Sequence, residues 1–137
     1  MAHPQFQAEV LTPEGKVYEG EVEQVSTRTG VGEVGILAHH APMLARLLPA
    51  ELRLHVSEGE VQRYAQGEGW LEVFANRARV LISEAVPVDD LDAGELRERL
   101  KEAEQRVSEA EEDSEAREQA ERERARAGAF LRIAEGG

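Results

Sequence analysis

The glycine-rich segment of this sequence has the spacing of a dinucleotide-binding turn. Gly30, Gly32 and Gly35 give the pattern G-x-G-x-x-G, which in such proteins joins a strand to a helix whose free N–H groups hold a pyrophosphate. Here Pro42 falls where the interior of that helix would be, and proline breaks a helix there. The net charge of −12 also disfavours an anion site. These glycines therefore indicate turns between strands.

Histidines at positions 3, 39, 40 and 55 are the next residues that could do chemistry. His39 and His40 are adjacent, and neighbouring side chains of an extended chain point in opposite directions. No H-x-x-x-H spacing accompanies them and the chain has no cysteine, so we expect no metal site. The histidine pair instead indicates a loop at a contact surface.

The 28 Asp and Glu residues supply carboxylates for acid–base work, but their spacing indicates a solvated surface. Glu95 with Arg99 and Glu118 with Arg122 are helical i, i+4 neighbours, each pair worth roughly 0.3–0.5 kcal/mol. Nothing in the sequence combines a nucleophile, a base and an oxyanion site. We therefore predict no catalytic residue, no cofactor and no enzyme activity for this chain alone.

The excess of 28 acidic over 16 basic residues limits the possible partners. Phosphate backbones and anionic lipid surfaces repel such a chain. No run reaches the roughly 18 apolar residues of a membrane-spanning helix. We expect neither nucleic-acid binding nor direct membrane insertion.

Residues 1–87 have the pattern of a β domain. Short apolar–polar alternations, such as Phe6–Val10, Leu52–Val56 and Ala78–Ile82, are separated by turn residues. Side chains alternate across a strand, so each run gives one face to a core and the other to water. About nine such strands, with no helix-length stretch between them, predict an antiparallel β-sandwich or barrel.

After Pro87 the composition and the hydrophobic period both change. All five prolines lie in residues 1–87, whereas half of residues 88–137 are charged. Apolar residues now recur every three or four positions, which predicts an antiparallel hairpin of two helices. The predicted stripe of the first helix comprises Leu96, Leu100, Ala103, Val107 and Ala110, and that of the second Ala116, Ala120, Ala127 and Leu131, with Phe130 and Ile133 near its end.

Capping residues stand at the start of both predicted helices. Asp89, Asp90 and Asp92 precede the first helix, where carboxylates accept hydrogen bonds from free N–H groups. Asp113 or Ser114 is placed to cap the second helix. The second stripe is mostly alanine, so it stabilises the hairpin less than leucine would. We therefore expect an arm that detaches or re-packs easily.

The segment from Gly32 to Ala45, GEVGILAHHAPMLA, resembles the signature of the epsilon subunit of F-type ATP synthases. The resemblance continues through GWLEV at 69–73, Asn76, VLI at 80–82, Leu91-Asp92 and LRIAE at 131–135. It spans nearly the whole chain in order. It implies a ten-stranded N-terminal β-sandwich in residues 1–87 and a C-terminal two-helix hairpin in residues 88–137.

The same resemblance implies a place in the rotor of the synthase. The sandwich would dock on the gamma subunit and the ring of c subunits, with Glu33 against the c ring. The loop made of His39, His40, Ala41 and Pro42 would lie near gamma. The chain would couple ion flow to ATP synthesis as a non-catalytic, peripheral subunit at the cytoplasmic face of a bacterial cell membrane.

The hairpin, by this resemblance, would be a mobile regulatory arm that rises along gamma to restrain ATP hydrolysis. Two helices of about 20 residues span roughly 60 Å end to end, at 1.5 Å per residue, which is enough to reach a catalytic head. Our candidates for the contact with acidic surface on that head are Arg117, Arg122, Arg124 and Arg126.

Members of this family that bind ATP on the hairpin carry the motif I/L-D-x-x-R-A, from which this chain departs. The aspartate is present as Asp92, but Glu95 and Leu96 stand in place of arginine and alanine. Phe130 stands where the family has another arginine that contacts the nucleotide. Asp92 and Arg126 remain as possible contacts, so we expect weak ATP binding or none.

Two other interpretations stay open at this point. One is an ATP-sensing module whose hairpin closes on the nucleotide, which titration with ATP tests. The other is a free-standing adaptor that has a sandwich head and a coiled-coil arm and resembles the family by fold alone. Co-purification with gamma and c subunits tests that second interpretation.

Overall fold

The computed structural model of the chain describes residues 3–136. The chain divides into two compact units, Met1–Pro87 and Val88–Gly137. The first unit contains ten strands: β1 Phe6–Thr12, β2 Gly15–Val22, β3 Gln24–Thr29, β4 Gly32–Ile36, β5 Met43–Leu47, β6 Ala50–Ser57, β7 Glu60–Gln66, β8 Gly69–Phe74, β9 Arg77–Ile82 and β10 Ala85–Pro87. The second contains a 3₁₀ turn, Val88–Asp90, and two helices, α1 Ala93–Glu109 and α2 Glu115–Ala134. The predicted β-sandwich followed by a two-helix hairpin is confirmed.

The strands form one hydrogen-bonded sheet that folds over into two layers. Its order is β10-β7-β6-β3-β5-β8-β9-β1-β2, with β4 paired to β3. The link between β3 and β5 is a single residue pair, Thr29 with Leu47, so the sheet turns a corner there. One layer is therefore β10-β7-β6-β3-β4 and the other β5-β8-β9-β1-β2.

One strand pairing departs from the predicted antiparallel pattern. The β1–β9 pair is parallel, with a register that runs from Gln7 opposite Arg77 to Leu11 opposite Leu81. Every other pairing of the described strands is antiparallel. Alternation along each strand says which face is buried but not which way a distant partner runs, so the sequence could not reveal this pair.

The core lies between the two layers and follows the predicted alternation. In β1, for example, Phe6, Ala8 and Val10 are buried and the residues between them are not. The buried apolar cluster comprises Phe6, Ala8, Val10, Val22, Val25, Ile36, Leu47, Leu52, Leu54, Leu71, Val73, Ala78, Val80 and Ile82. Burying each large aliphatic side chain contributes about 1.5–3 kcal/mol, so this cluster stabilises the sandwich without any residue of the hairpin.

Both predicted helices form, and their caps agree with the sequence. The Asp92 carboxylate accepts the N–H of Glu95 at 3.1 Å, and the Ser114 hydroxyl accepts the N–H of Arg117 at 3.1 Å. Asp113, the other candidate cap, instead lies in the turn with a φ of 60°. These bonds satisfy N–H groups that a helix cannot pair internally.

The buried stripes of the hairpin match the prediction in part. Leu100, Ala110 and Leu131 are half-buried, and Ala129, which was not predicted, is buried. Leu96, Ala103 and Val107 are buried in α1, and Ala120, Ala127, Ala129, Phe130 and Ile133 in α2. Ala116 is exposed, contrary to the predicted stripe. It lies in the first turn of α2, where the chain has only just left the interhelical loop.

A carboxylate with two arginine partners lies on the outer face of β6. Glu51 accepts two hydrogen bonds from Arg63, at 2.7 and 3.0 Å, and one from Arg53 at 2.5 Å. The hydrogen bonds from Arg63 are the main cause that holds the pKa of Glu51 below its usual range, and the bond from Arg53 adds to it. Partial burial of the carboxylate acts in the opposite direction. The ionised form of Glu51 is therefore favoured in the folded state.

We expect Glu51→Gln to lower the free energy of unfolding at pH 7 by about 1 kcal/mol. A lowered folded-state pKa stabilises the protein above the unfolded value, roughly 4.3, and this contribution is lost as the pH falls through the folded pKa. Urea denaturation measures the free energy of unfolding of the variant and the unmodified chain from pH 7 to pH 3. The difference between them should shrink to nearly zero at pH 3. Glu14→Gln, on the exposed β1–β2 turn, is the control. A difference in the free energy of unfolding that persists at pH 3 would contradict a stabilising role for the ionised Glu51 carboxylate.

Candidate functional site

The β3–β4 hairpin presents Val31, in its turn, and Glu33, near the start of β4, to solvent. The Glu33 side chain is 84% exposed and forms an ion pair with Arg28, its partner across the hairpin, at 3.7 Å. Val31 at the tip is 98% exposed. Turn tips usually carry Gly, Asn or Asp, so a fully exposed valine beside a carboxylate marks a candidate contact point.

Hydrogen bonds hold this turn in place. The Thr29 hydroxyl accepts the N–H of Val31 at 3.2 Å and donates to the Gly32 carbonyl at 2.9 Å. The Gly30 N–H donates to the Arg46 carbonyl on β5 at 3.0 Å. Gly32 has a φ of 131°, which a residue with a side chain rarely adopts. The glycines of this segment thus shape a strand turn, as predicted.

Positive φ angles mark the first residue of the loop His39–Pro42, which follows β4, and the turn to which that residue is bonded. His39 has a φ of 63°, and its N–H donates to the Asn76 side-chain oxygen at 2.7 Å. Asn76 and the preceding Ala75, in the β8–β9 turn, have φ angles of 58° and 49°. Such conformations persist only where the surrounding structure enforces them, and they cluster at functional sites. Sequence analysis did not predict that Asn76 anchors this loop.

The residues of this loop form a surface for contact. His39, Ala41 and Pro42 are exposed, and His40 is half-buried with its Nδ1 atom 2.7 Å from the Ala41 carbonyl oxygen. In the described part of the chain, no three His, Cys, Asp or Glu side chains come together in a way that could hold a metal ion. The loop therefore offers backbone and ring surface to a partner.

Glu33 and the histidine loop lie at opposite ends of β4. The β3–β4 turn is bonded to Arg46, next to the end of β5 where Leu47 pairs with Gly69. The histidine loop is bonded to Asn76, beyond the other end of β8. Five residues of strand separate the two features by about 16 Å. The sandwich thus has two separate ends, each of which is a candidate surface for contact with a partner.

Among the four arginines selected in the hairpin, Arg117 is bonded across the interhelical turn. Its Nη1 atom donates to the Val107 and Ala110 carbonyls, at 3.3 and 3.5 Å, and its Nε atom to Glu121 at 3.1 Å. The last carbonyls of a helix lack internal donors and carry the negative end of its dipole. Arg117 therefore caps α1 from the start of α2, a role that depends on the turn geometry and that the sequence did not reveal.

The other three arginines differ in their surroundings. Arg126 lies 3.3 Å from Glu123, and its guanidinium stands 4.7 Å above the centre of the Phe130 ring. Arg122 and Arg124 are exposed and make no hydrogen bond or ion pair within residues 3–136. Two of the four arginines thus hold the hairpin, and two stay available to a partner.

The hairpin does not bring Asp92 and Arg126 together. The helices run antiparallel, and Leu100 of α1 lies against Gly128 of α2. In that register Arg126 lies level with a point about ten residues beyond Asp92, or roughly 15 Å along the axis. Since Asp92 also caps its own helix, the two residues do not form a common nucleotide site.

The chain is thus a small protein that consists of a β-sandwich with two hydrogen-bonded loops, followed by a charged helical hairpin. Neither described helix has the long uncharged stretch that crossing a bilayer requires. Residues 5–88 match the family described as ATP synthase, Delta/Epsilon chain, beta-sandwich domain. The chain belongs to this family, as the resemblance of its signature segment implied.

Relatives extend this match over the hairpin. The ATP synthase epsilon chain of Persephonella marina is 37% identical over 106 residues, 77% of this chain and 78% of that protein. The epsilon chain of Sulfurihydrogenibium sp. is 32% identical over 129 residues, 94% of this chain and 96% of that protein. The chain is therefore a non-catalytic subunit of an ATP synthase.

A solved structure shows the same fold. A chain in the cryo-EM structure of the Euglena gracilis mitochondrial ATP synthase, a structure of OSCP, F1 and the c-ring, superposes with a TM-score of 0.82. It is 24% identical, and the match covers 93% of this chain and 81% of that chain. At this identity the likeness shows the fold alone.

We expect the isolated chain to bind ATP with Mg²⁺ no more tightly than the millimolar range. A triphosphate needs converging cations, but Glu95 replaces one arginine and holds Arg99 at 3.2 Å, and Phe130 replaces another. Two lost charge-assisted contacts of about 1.5–3 kcal/mol each move a micromolar site to roughly millimolar. Isothermal titration calorimetry measures this.

A variant that restores one family arginine at an exposed position, Glu95→Arg, is the matched comparison for the nucleotide prediction. It should bind ATP at least about tenfold more tightly than the unmodified chain, since one restored contact contributes about 1.5–3 kcal/mol. A low-micromolar dissociation constant for the unmodified chain would instead support an ATP-sensing module.

Proposed function

We propose that this chain is the epsilon-type subunit of the central stalk of an F-type ATP synthase. It docks by its sandwich on the gamma subunit and the c ring and couples ion translocation to ATP synthesis. The observation that carries the proposal is the exposed segment Val31–Glu33 at the end of a sandwich of this family. The turn that holds it is hydrogen-bonded to β5 through the Gly30 N–H and the Arg46 carbonyl. Solved assemblies described as F1/c-ring and central stalk/c-ring contain chains of the same fold, which supports it.

The two contact ends of the sandwich take different partners in this proposal. Glu33 and the valine tip contact the polar loops of the c ring, and the loop His39–Pro42 contacts gamma. Because the two features lie at opposite ends of β4, one rigid body holds both partners. Hydrogen bonds to Arg46 and Asn76 fix each loop to a neighbouring strand or turn.

The subunit is held at the cytoplasmic face of a bacterial cell membrane through these partners. Its relatives in Persephonella marina and Sulfurihydrogenibium sp. are bacterial proteins, which supports the host assignment. An acidic chain with a net charge of −12 gains nothing from an anionic lipid surface, so contact with the membrane comes from the complex.

Glu33→Lys should weaken the contact with the c ring. The reversed charge repels Arg28, the present partner of Glu33 at 3.7 Å, and any cationic group on the ring. We expect roughly tenfold weaker retention on membranes that contain the synthase, and reduced ATP-driven proton pumping relative to hydrolysis. Retention is measured by immunoblotting after salt washes. Glu60→Lys, on the β6–β7 side, carries the same charge change as control. Equal retention of both variants would remove Glu33 from the interface.

The hairpin acts as a mobile regulatory arm in this proposal. Its closed form depends on small residues in the seam, such as Ala103, Ala120 and Ala127, and on the bonds from Arg117 to the end of α1. A shift from 1:99 to 99:1 between closed and raised arms needs about 5.5 kcal/mol of differential contact. Arg122 and Arg124 are placed to supply it against acidic surface on the catalytic head.

A chain truncated after Val88 should fold and support coupled synthesis, while ATP hydrolysis by the complex rises. The buried cluster of the sandwich ends at Ile82, so its thermal transition should shift by only a few degrees. Circular dichroism and hydrolysis assays of the reconstituted synthase measure both effects.

Neutralising only the two available arginines provides the matched comparison for the truncation. Full-length chain with Arg122→Ala and Arg124→Ala should reproduce part of the rise in hydrolysis, whereas the exposed acidic pair Glu111→Gln and Glu112→Gln should not. Hydrolysis that stays unchanged after truncation would leave assembly as the only role of the arm.

A further inference from the structure

The sheet turns its corner within β3, where the ladder of paired residues is interrupted. β3 pairs with β6 only as far as Ser26 and with β5 only at Thr29. Between these two positions, one backbone hydrogen bond joins β3 to its neighbour on that edge, from the Leu48 N–H to the Arg28 carbonyl at 3.2 Å. The β3–β4 hairpin continues from this corner to the exposed segment Val31–Glu33, so its direction depends on how the corner is held.

The side chain of Gln66 spans the corner from β7. Its Oε1 atom accepts a hydrogen bond from the Thr27 hydroxyl on β3 at 2.6 Å. Its Nε2 atom donates to the carbonyl of Leu48, which lies between β5 and β6, at 2.8 Å. A side-chain amide has the same donor and acceptor as a peptide group. Gln66 therefore supplies across the corner a pairing that the strand ladder does not make there.

Gln66 is held firmly enough to act as a fixed bridge. The residue is fully buried, and Thr27 is buried beside it. Its backbone is paired on both sides, with Ala50 of β6 and with Ala85 of β10. Burial removes water as a competitor for these bonds, and a buried amide is costly unless its polar atoms are hydrogen-bonded. An apolar side chain could fill the same space, but it would leave β3 and the β5–β6 connection unjoined.

The strand that Gln66 holds is the base of the β3–β4 hairpin. Two residues beyond Thr27, the Thr29 hydroxyl bonds to the Val31 N–H and to the Gly32 carbonyl and so shapes the turn. The bond from the Gly30 N–H to β5 attaches the turn to the other layer. The Gln66 amide adds the connection to β7, which is itself paired with β6 and β10.

We propose that Gln66 is a positioning residue for the contact made by the segment Val31–Glu33. The inference rests on the proposed function, in which that contact is with the c ring. By closing the corner, the Gln66 amide holds the β3–β4 hairpin in one direction. The exposed valine and carboxylate then meet the partner already ordered, which avoids the loss of affinity that ordering a loop on binding causes.

The first measurement is the backbone ¹⁵N order parameter of Val31 and Gly32 in the full-length chain. Gln66→Leu removes both hydrogen bonds and should lower these order parameters from about 0.85 towards 0.6. The β1–β2 turn at Glu14 serves as a reference in the same spectrum and should not change. Val10→Ala is the matched control, because it removes buried apolar volume from β1, three strands from β5 in the sheet. It should destabilise the sandwich but leave both order parameters unchanged.

The second measurement is retention on membranes that contain the synthase, by immunoblotting after salt washes. Gln66→Leu should be retained at least about threefold less than the unmodified chain, because the β3–β4 hairpin must then be ordered on binding. Val10→Ala should be retained as the unmodified chain is. A role of Gln66 in stability alone would make the two variants behave alike.

Gln66→Glu tests whether the two hydrogen bonds themselves matter. A protonated carboxyl group can accept from Thr27 and donate to the Leu48 carbonyl, as the amide does, whereas the ionised group cannot donate. Burial raises the pKa of a carboxyl group. The order parameter of Val31 in this variant should therefore approach that of the unmodified chain near about pH 5 and fall as the pH rises to about 8.

A further variant keeps the test decisive if Gln66→Leu fails to fold. Thr27→Val removes only the bond to the amide oxygen and should lower the same order parameters by a smaller amount. Order parameters that stay unchanged in Thr27→Val, and in a folded Gln66→Leu, overturn the positioning role but not the proposed function. An equal loss in Val10→Ala overturns the role as well. Lower order parameters with unchanged retention also overturn it, and if Glu33→Lys is retained equally well, the proposed contact with the c ring fails with it.

Discussion

The apolar core between the two layers of the sandwich is the constraint on which the other features depend. Its large members, from Phe6 to Ile82, come from every strand except β7 and β10, and each contributes about 1.5–3 kcal/mol. That stabilisation lets the ends of the sandwich hold unfavourable conformations. Positive φ angles at His39, Ala75 and Asn76 cost of order 1–3 kcal/mol each, which the core offsets. A less complete core would let these loops relax away from their partners.

The sequence predicted the features that repeat locally. Strand alternation indicated the sandwich, the three- and four-residue stripe indicated the hairpin, and Asp92 and Ser114 indicated its helix starts. It did not predict the features that join distant segments. The parallel β1–β9 pair, the bond from His39 to Asn76 and the cap that Arg117 makes on α1 all depend on how far-apart residues meet in space.

The same distinction explains the candidate site. Glu33 and the histidine loop were selected from one short signature, only six residues apart, yet the extended strand between them places them at opposite ends of the sandwich. Residues close in sequence are far apart on a strand, where each adds about 3.3 Å.

The buried residues of the hairpin stabilise it less than those of the sandwich stabilise that unit. In the hairpin, the difference in free energy between an alanine seam and a leucine seam is of the size that a two-state switch requires. Ala120 and Ala127 occupy buried positions of the α2 seam, where leucine would add three carbons each. At roughly 0.8 kcal/mol per buried CH₂, a hairpin whose helices were spaced to accommodate leucine at both positions would be held closed by about 5 kcal/mol more. That increment nearly equals the 5.5 kcal/mol or so that moves a two-state equilibrium from one form to the other. A leucine seam would hold the arm closed against contacts of that strength, whereas the alanine seam leaves the bonds of Arg117 and a few apolar contacts as the main restraint. In the proposed function, the sandwich stays rigid under load while the arm responds to its partners.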